Sequence, residues 1–224
     1  MNKNVFLMLV LCTILAGPAI AQDQHQHRRP NDIKQYLEHL DGTERNQDQK
    51  PAQVIEALRL KPGMAVADLG SGSGYFTRRF VEAVTETGMV YAIDVEPEML
   101  AYVKESIIHM HVAYAAEFIL ARSDSPKLPY GSIDLLFICN TYHHLEERSK
   151  YFADTKSALK PGGRVTIIDF YHDERSGELG FPKQHLVQRE TVVKEMTAAG
   201  YALAREHTFL PRQYFLEFIP IPAP

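Results

Sequence analysis

"VADLGSGSGYFTRRF", residues 66 to 80, runs from an apolar stretch through an acid into three glycines alternating with serines, then into an amphipathic segment. A short apolar run bounded by turn residues reads as a buried strand, and Phe76, Phe80 and Val84 fall near helical spacing. The stretch is thus a strand, a glycine turn and a helix. Glycines at 70, 72 and 74 permit positive φ and let a ligand touch bare backbone. The N–H groups opening the next helix favour an anionic ligand group. The spacing is G-x-G-x-G, whereas the dinucleotide fingerprint is G-x-G-x-x-G, and Tyr75 stands where that fingerprint wants its third glycine.

Outward from this turn, β and α patterns alternate. Strands are expected at Met64–Leu69, Met89–Ile93, Phe118–Leu120, 134–140 and within "LKPGGRVTIIDF" (159–170). Helices are expected at Tyr75–Val84, from Pro97 to about Ile108, near Glu146–Leu159 and at Arg189–Ala199. Strands separated by helices imply a parallel sheet. The last two runs, Ala202–Phe209 and Tyr214–Ile219, are too close for a helical crossover and must pair antiparallel. The fold class is therefore α/β, a doubly wound, Rossmann-like sheet of seven strands, mostly parallel, closed by an antiparallel C-terminal hairpin. Upstream, Asn31-Asp32 can cap a helix reaching about Leu40, 41–50 reads as a polar connection, and Pro51 suits the first turn of a helix to Leu60.

The chain has 224 residues, 45% of them apolar, with a formal net charge of -4. That balance lacks the polycationic footprint of a nucleic-acid binder. The N-terminus is a sharper signal. Lys3 and the α-amine precede an apolar run from Val5 to Ile20, and Ala19-Ile20-Ala21 has the small-x-small pattern of a secretory cleavage site. Residues 1–21 are read as a signal peptide, 22–44 as a polar tether with a helix, and 45–224 as the functional domain, exported to the periplasm or outside the cell. The alternative is a retained anchor with the domain in the cytoplasm, because Arg28 and Arg29 follow the apolar run. Cys12 falls in the signal, so Cys139 alone would remain and form no internal disulfide.

Two acids join the glycine turn. Asp94, at the tip of the second strand, can accept from both hydroxyls of a ribose or can cap the helix opening at Pro97. Asp124, in "SDSPKLP" (123–129), can accept from an exocyclic amine or simply shape a turn.

The ordered set "VADLGSGSGYF", "VYAIDVEPEML", "ARSDSPKLP", "DLLFICNTYHHL" and "LKPGGRVTIIDF" resembles the class I S-adenosylmethionine-dependent methyltransferases over roughly residues 45 to 220. The resemblance implies S-adenosyl-L-methionine as cofactor. It puts Asp68, Gly70, Ser71, Gly72, Ser73 and Gly74 along the methionine part, Asp94 on the ribose, Val95 beside the adenine and Ser123 and Asp124 at its edge. Asn140 would face the methionyl side, and Arg45 and Gln47 would close over the carboxylate.

Direct displacement at a sulfonium needs a base only for a protonated or unionised nucleophile. Tyr142, His143 and His144, in "NTYHH" (140–144), are the candidates for a base or polar clamp, with capping or packing beneath the next helix as the structural alternative. The long polar insertion 171–188 suits a lid or a substrate-binding segment. Its His172, Asp173 and His185 have no helical ligand spacing, and no metal is assigned. The expected partner is a small-molecule substrate, with no nucleic acid, and with a membrane only if the anchor is retained. The rival readings are an exported binding module without turnover and an NAD-dependent oxidoreductase.

Overall fold

The computed structural model describes residues 33–110, 115–179 and 182–222. The signal-peptide reading and residues 22–32 of the tether reading lie outside these residues. No helix among the described residues is long and apolar enough to cross a membrane.

Three helices precede the sheet: α1 (Ile33–Leu40), α2 (Arg45–Gln49) and α3 (Pro51–Leu58). Then follow β1 (Ala65–Leu69), α4 (Tyr75–Val84), β2 (Met89–Asp94), α5 (Pro97–His109), β3 (Ala116–Leu120) and β4 (Ile133–Cys139). The second half holds α6 (Arg148–Thr155), β5 (Leu159–Phe170), α7 (Arg189–Ala198), β6 (Tyr201–His207) and β7 (Gln213–Pro220). The seven strands form one sheet in the order β3-β2-β1-β4-β5-β7-β6. The first five are mutually parallel, and β7 runs antiparallel to β5 and β6.

Two expectations change. The connection 41–50 contains α2, which docks because Tyr75 Oη donates to Asn46 Oδ1 at 2.5 Å and Gln49 Nε2 reaches Cys139 Sγ at 3.4 Å. The expected helix 146–159 is shorter, since residues 156–158 tighten into a 3₁₀ turn before β5.

Both faces of the sheet are covered, which explains why every residue of β1 is buried. On one face, Phe76 and Phe80 pack against Phe137 with ring centroids 4.8 and 4.9 Å away. On the other, Tyr142 stacks on Phe152 at 5.5 Å within a cluster that includes Tyr201 and Tyr214. Strand order reverses between β1 and β4, so the segments leaving their carboxyl ends pass to opposite faces of the sheet. In open α/β sheets the ligand crevice lies at such a switch point.

Candidate active site

A cavity of about 500 Å³ occupies this crevice. Its floor is the glycine turn. Gly70 (φ 75°) and Gly72 (φ 53°) both line it in left-handed backbone. A Cβ on Gly70 would stand 2.1 Å from Thr141 Oγ1, and one on Gly72 would stand 3.3 Å from Leu40 Cδ1. Thr141, just past β4, thus leaves no room for a side chain at Gly70, and Leu40 of α1 closes on Gly72. Ser71 lies between them on the wall. Its hydroxyl is buried and has no hydrogen-bond partner among the described residues.

Asp94 forms the second wall. Its Oδ2 accepts from Gly72 N at 2.9 Å and its Oδ1 from Glu96 N at 3.0 Å, so the turn and the start of α5 hold the carboxylate at the strand tip. It thereby organises the helix start and lies on the cavity wall. Val95 lies beside it on the wall. Beyond β3, Ser123 lines the cavity but Asp124 does not: its exposed carboxylate pairs with Arg122, whose Nε is 3.0 Å away. Asn140, at φ 55° just past β4, lines the wall and accepts from Gln213 Nε2 at 2.5 Å.

The roof comes from the helices before the sheet. Tyr36 and Leu40 of α1 and Arg45 of α2 face the cavity. Arg45 donates through Nε to Gln49 Oε1 at 2.5 Å and through Nη1 to Leu40 O at 2.7 Å, with its guanidinium carbon 4.0 Å from the Tyr75 ring centroid. These contacts present one cation to the space above the glycine turn. Gln47 is not on the wall.

Several expected residues support the wall from behind. Asp68 is buried beneath the turn, accepts from Thr77 Oγ1 at 2.6 Å, and has its pKa pushed up to about 6 by burial. Ser73 donates to Asp41, and Gly74 begins α4 against Val103. Tyr142 is buried and donates to Glu195 Oε2 at 2.7 Å; burial raises its pKa. His143 turns away from the cavity toward Asp169, leaving His144 as the one of Tyr142, His143 and His144 on the wall. Cys139, also on the wall, is an inert thiol there, its pKa pushed up to about 12 by burial.

The insertion 171–188 contributes no lining residue among those described. Arg212 holds it down instead, donating to Ser176 O, Glu178 O and Asp48 Oδ2 at 2.6–2.7 Å. Asp173 is engaged by Arg175, which lowers its pKa to about 2, and no His, Cys, Asp or Glu grouping among the described residues fits a metal ion.

Sequence reading missed Tyr36, Leu40, Thr141 and Glu146 on the wall, and Asp169 behind it. Thr141 and Glu146 flank the motif that contains His143 and His144. Tyr36 and Leu40 reach the cavity only through long-range docking, which leaves no local signature.

A methyltransferase-domain family model matches residues 66–163, from β1 into β5. This stretch matches a methyltransferase domain, and the chain is similar to class I S-adenosylmethionine-dependent methyltransferases. It is 28% identical over 117 residues to the ubiquinone/menaquinone biosynthesis C-methyltransferases UbiE of Shewanella pealeana and Escherichia fergusonii, covering 52% of this chain and 47% of each relative. It therefore spans about half the length of these curated relatives. A solved S-adenosylmethionine-dependent methyltransferase from Aquifex aeolicus is 27% identical, with a TM-score of 0.78 over 86% of this chain and 100% of that one. The residues present fit the family's cofactor. Asp94 offers a carboxylate for hydroxyls, the bare turn leaves room for close approach, and Ser71 and Arg45 supply a hydroxyl and a cation.

Proposed function

We propose that this methyltransferase domain transfers a methyl group from S-adenosylmethionine to a small-molecule acceptor by direct displacement. The observation that carries this reading is Asp94, fixed by two backbone N–H groups at the edge of a cavity floored by Gly70 and Gly72. When bound, the cofactor supplies a methyl group already activated on a sulfonium. Asp94 would hold the ribose, Ser123 would meet the adenine edge, and Ser71 and Arg45 would take the methionyl end.

The remaining task is alignment. Orientation of reactants can contribute about 7–11 kcal/mol without a covalent intermediate. The wall outside the cofactor residues mixes Leu40, Leu145, Tyr36 and Tyr151 with the His144 imidazole. That lining suits a compact acceptor with an apolar body and one polar, protonated atom. The UbiE relatives are named for C-methylation in quinone biosynthesis, and an apolar ring agrees with this wall. His144 is the proposed base; such a group contributes ~10²–10⁴-fold where the nucleophile must lose a proton. The terminal segment 1–21 supports export of the domain, which a reporter fusion to residues 1–40 would test by its compartment.

The deciding experiment is calorimetric titration of the full chain with S-adenosylmethionine and, separately, NADH, using Asp94→Ala as control. Binding of S-adenosylmethionine that the substitution weakens is expected. Well-folded protein that binds neither, or binds NADH instead, overturns the proposal.

A further inference from the structure

Asp169 is the penultimate residue of β5, next to the carboxyl end of β4, with its side chain 1% exposed. A buried carboxylate must be compensated by donors, and three groups do so here. Phe170 N donates to Oδ1 at 2.8 Å, His143 N donates to Oδ2 at 3.1 Å, and His143 Nδ1 lies 2.8 and 2.9 Å from the two oxygens. Two of these three donors belong to His143. Asp169 therefore grips the turn of residues 142–144 by its backbone and by a ring at once.

Because an ionised carboxylate only accepts, the proton between them belongs to His143 Nδ1. The His143 ring, 4% exposed, is thus locked in one orientation and, when neutral, in one tautomer. Against it lies the His144 ring, with centroids 4.1 Å apart and planes tilted by 45°. His144 faces the cavity and His143 does not. The backbone also orders the turn, since His144 N donates to Thr141 O at 3.0 Å. Carboxylate, first imidazole and second imidazole thus form a line from the sheet interior to the cavity wall.

We propose that Asp169 is a positioning residue which, through His143, fixes the His144 imidazole toward the methyl acceptor. The inference rests on the methyltransferase reading of the cavity. It adds a pair of residues that touch neither cofactor nor acceptor but set the orientation of the group that does. The logic is that of a buried acid orienting a histidine, where an amide in place of the acid favours the wrong tautomer. Here the effect passes through a second ring and the shared turn.

The test uses full-length protein labelled with ¹⁵N-histidine and reads the imidazole signals by two-bond ¹H–¹⁵N correlation, alongside calorimetry with S-adenosylhomocysteine. In the wild type, neutral His143 carries its proton on Nδ1. Asp169→Asn is expected to lose that signature and to shift the His144 ring signals while S-adenosylhomocysteine still binds. His143→Gln, whose amide can still donate to Asp169, serves if Asp169→Asn does not fold, and it too is expected to shift His144. His144 signals that superimpose on wild type in a folded variant overturn the proposal. Failure of wild-type protein to bind S-adenosylhomocysteine would instead overturn the cofactor reading and, with it, the role given to His144, even if the imidazole signals remain coupled.

Discussion

Asp41 accepts from the Arg78 guanidinium at 2.7 Å, and this bond ties the segment after α1 to the helix that follows the glycine turn. The same carboxylate takes Ser73 Oγ at 2.7 Å and Tyr102 Oη at 3.1 Å. Three donors from the turn, α4 and α5 thus hold down the segment that places Leu40 over Gly72. The N-terminal helices belong to the cavity as walls, although the sequence separates them from it by a polar, glycine-containing stretch.

Asp41→Ala should release this wall. Both partners of the Arg78 pair are partly exposed, so a contribution at the low end for a charged hydrogen bond, about 1.5 kcal/mol, is expected. That corresponds to about tenfold weaker binding of S-adenosylhomocysteine by calorimetry. Unchanged affinity would mean that α1 does not bear on the bound cofactor.

Gly70→Ala should fail for two separable reasons. Left-handed backbone costs a non-glycine residue about 1–2 kcal/mol, and the new methyl would stand 2.1 Å from Thr141 Oγ1. Loss of S-adenosylhomocysteine binding with a lowered melting temperature is expected. The double variant Gly70→Ala/Thr141→Gly removes every Thr141 side-chain contact but leaves the strained φ at 70, so it should recover part of the melting temperature. No recovery would place the whole cost in the backbone.

The sheet was legible because its signals are local. Val66 to Leu69, interrupted only by Asp68, and Leu135 to Cys139 are apolar runs bounded by Gly and Asn, as strands buried on both faces demand. The short spacing between β6 and β7 forced antiparallel pairing. The glycine turn and Asp94 were legible for the same reason, since a strand tip and a helix start define one place in a doubly wound sheet. The side-chain directions at "TYHH" were not. Which of Tyr142, His143 and His144 faces the cavity depends on a 3₁₀ turn and on Asp169, 26 residues beyond His143. Asp124 likewise had the right place in the chain, yet Arg122, two residues away, takes its carboxylate.

Asp68 makes stability depend on pH. Its folded-state pKa is raised to about 6 from 3.8, so the folded protein holds that proton more tightly than the unfolded chain. The resulting stabilisation is fully present below about pH 4 and is lost as pH rises through 6. Above pH 7 the buried, ionised carboxylate costs about 3 kcal/mol at 1.36 kcal/mol per pKa unit. Asp68→Asn keeps an acceptor for Thr77 and should stabilise the fold at pH 8 while leaving it nearly unchanged at pH 4. Equal effects on denaturant unfolding at both pH values would show that Asp68 does not titrate in this range.

Glu217 carries the opposite risk. Its carboxylate on β7 is 3% exposed and lies 2.9 Å from Arg164 Nε and 2.7 Å from His207 Nε2, with Arg59 and Arg205 at 4.0 and 3.9 Å. Arg164 in turn donates to Leu58 O at the end of α3, so one carboxylate joins the hairpin to the helix leading into β1. Removing one partner of a buried pair strands the other charge and typically costs about 3–5 kcal/mol. Glu217→Gln should therefore lower the melting temperature by roughly 6–20 °C at 2–4 °C per kcal/mol for a chain of this size. Arg205→Ala removes a half-exposed guanidinium at the edge of the cluster and should cost less than about 1 kcal/mol. Equal shifts for the two variants would mean that Glu217 acts as a surface charge and that the β7–α3 junction is held by packing alone.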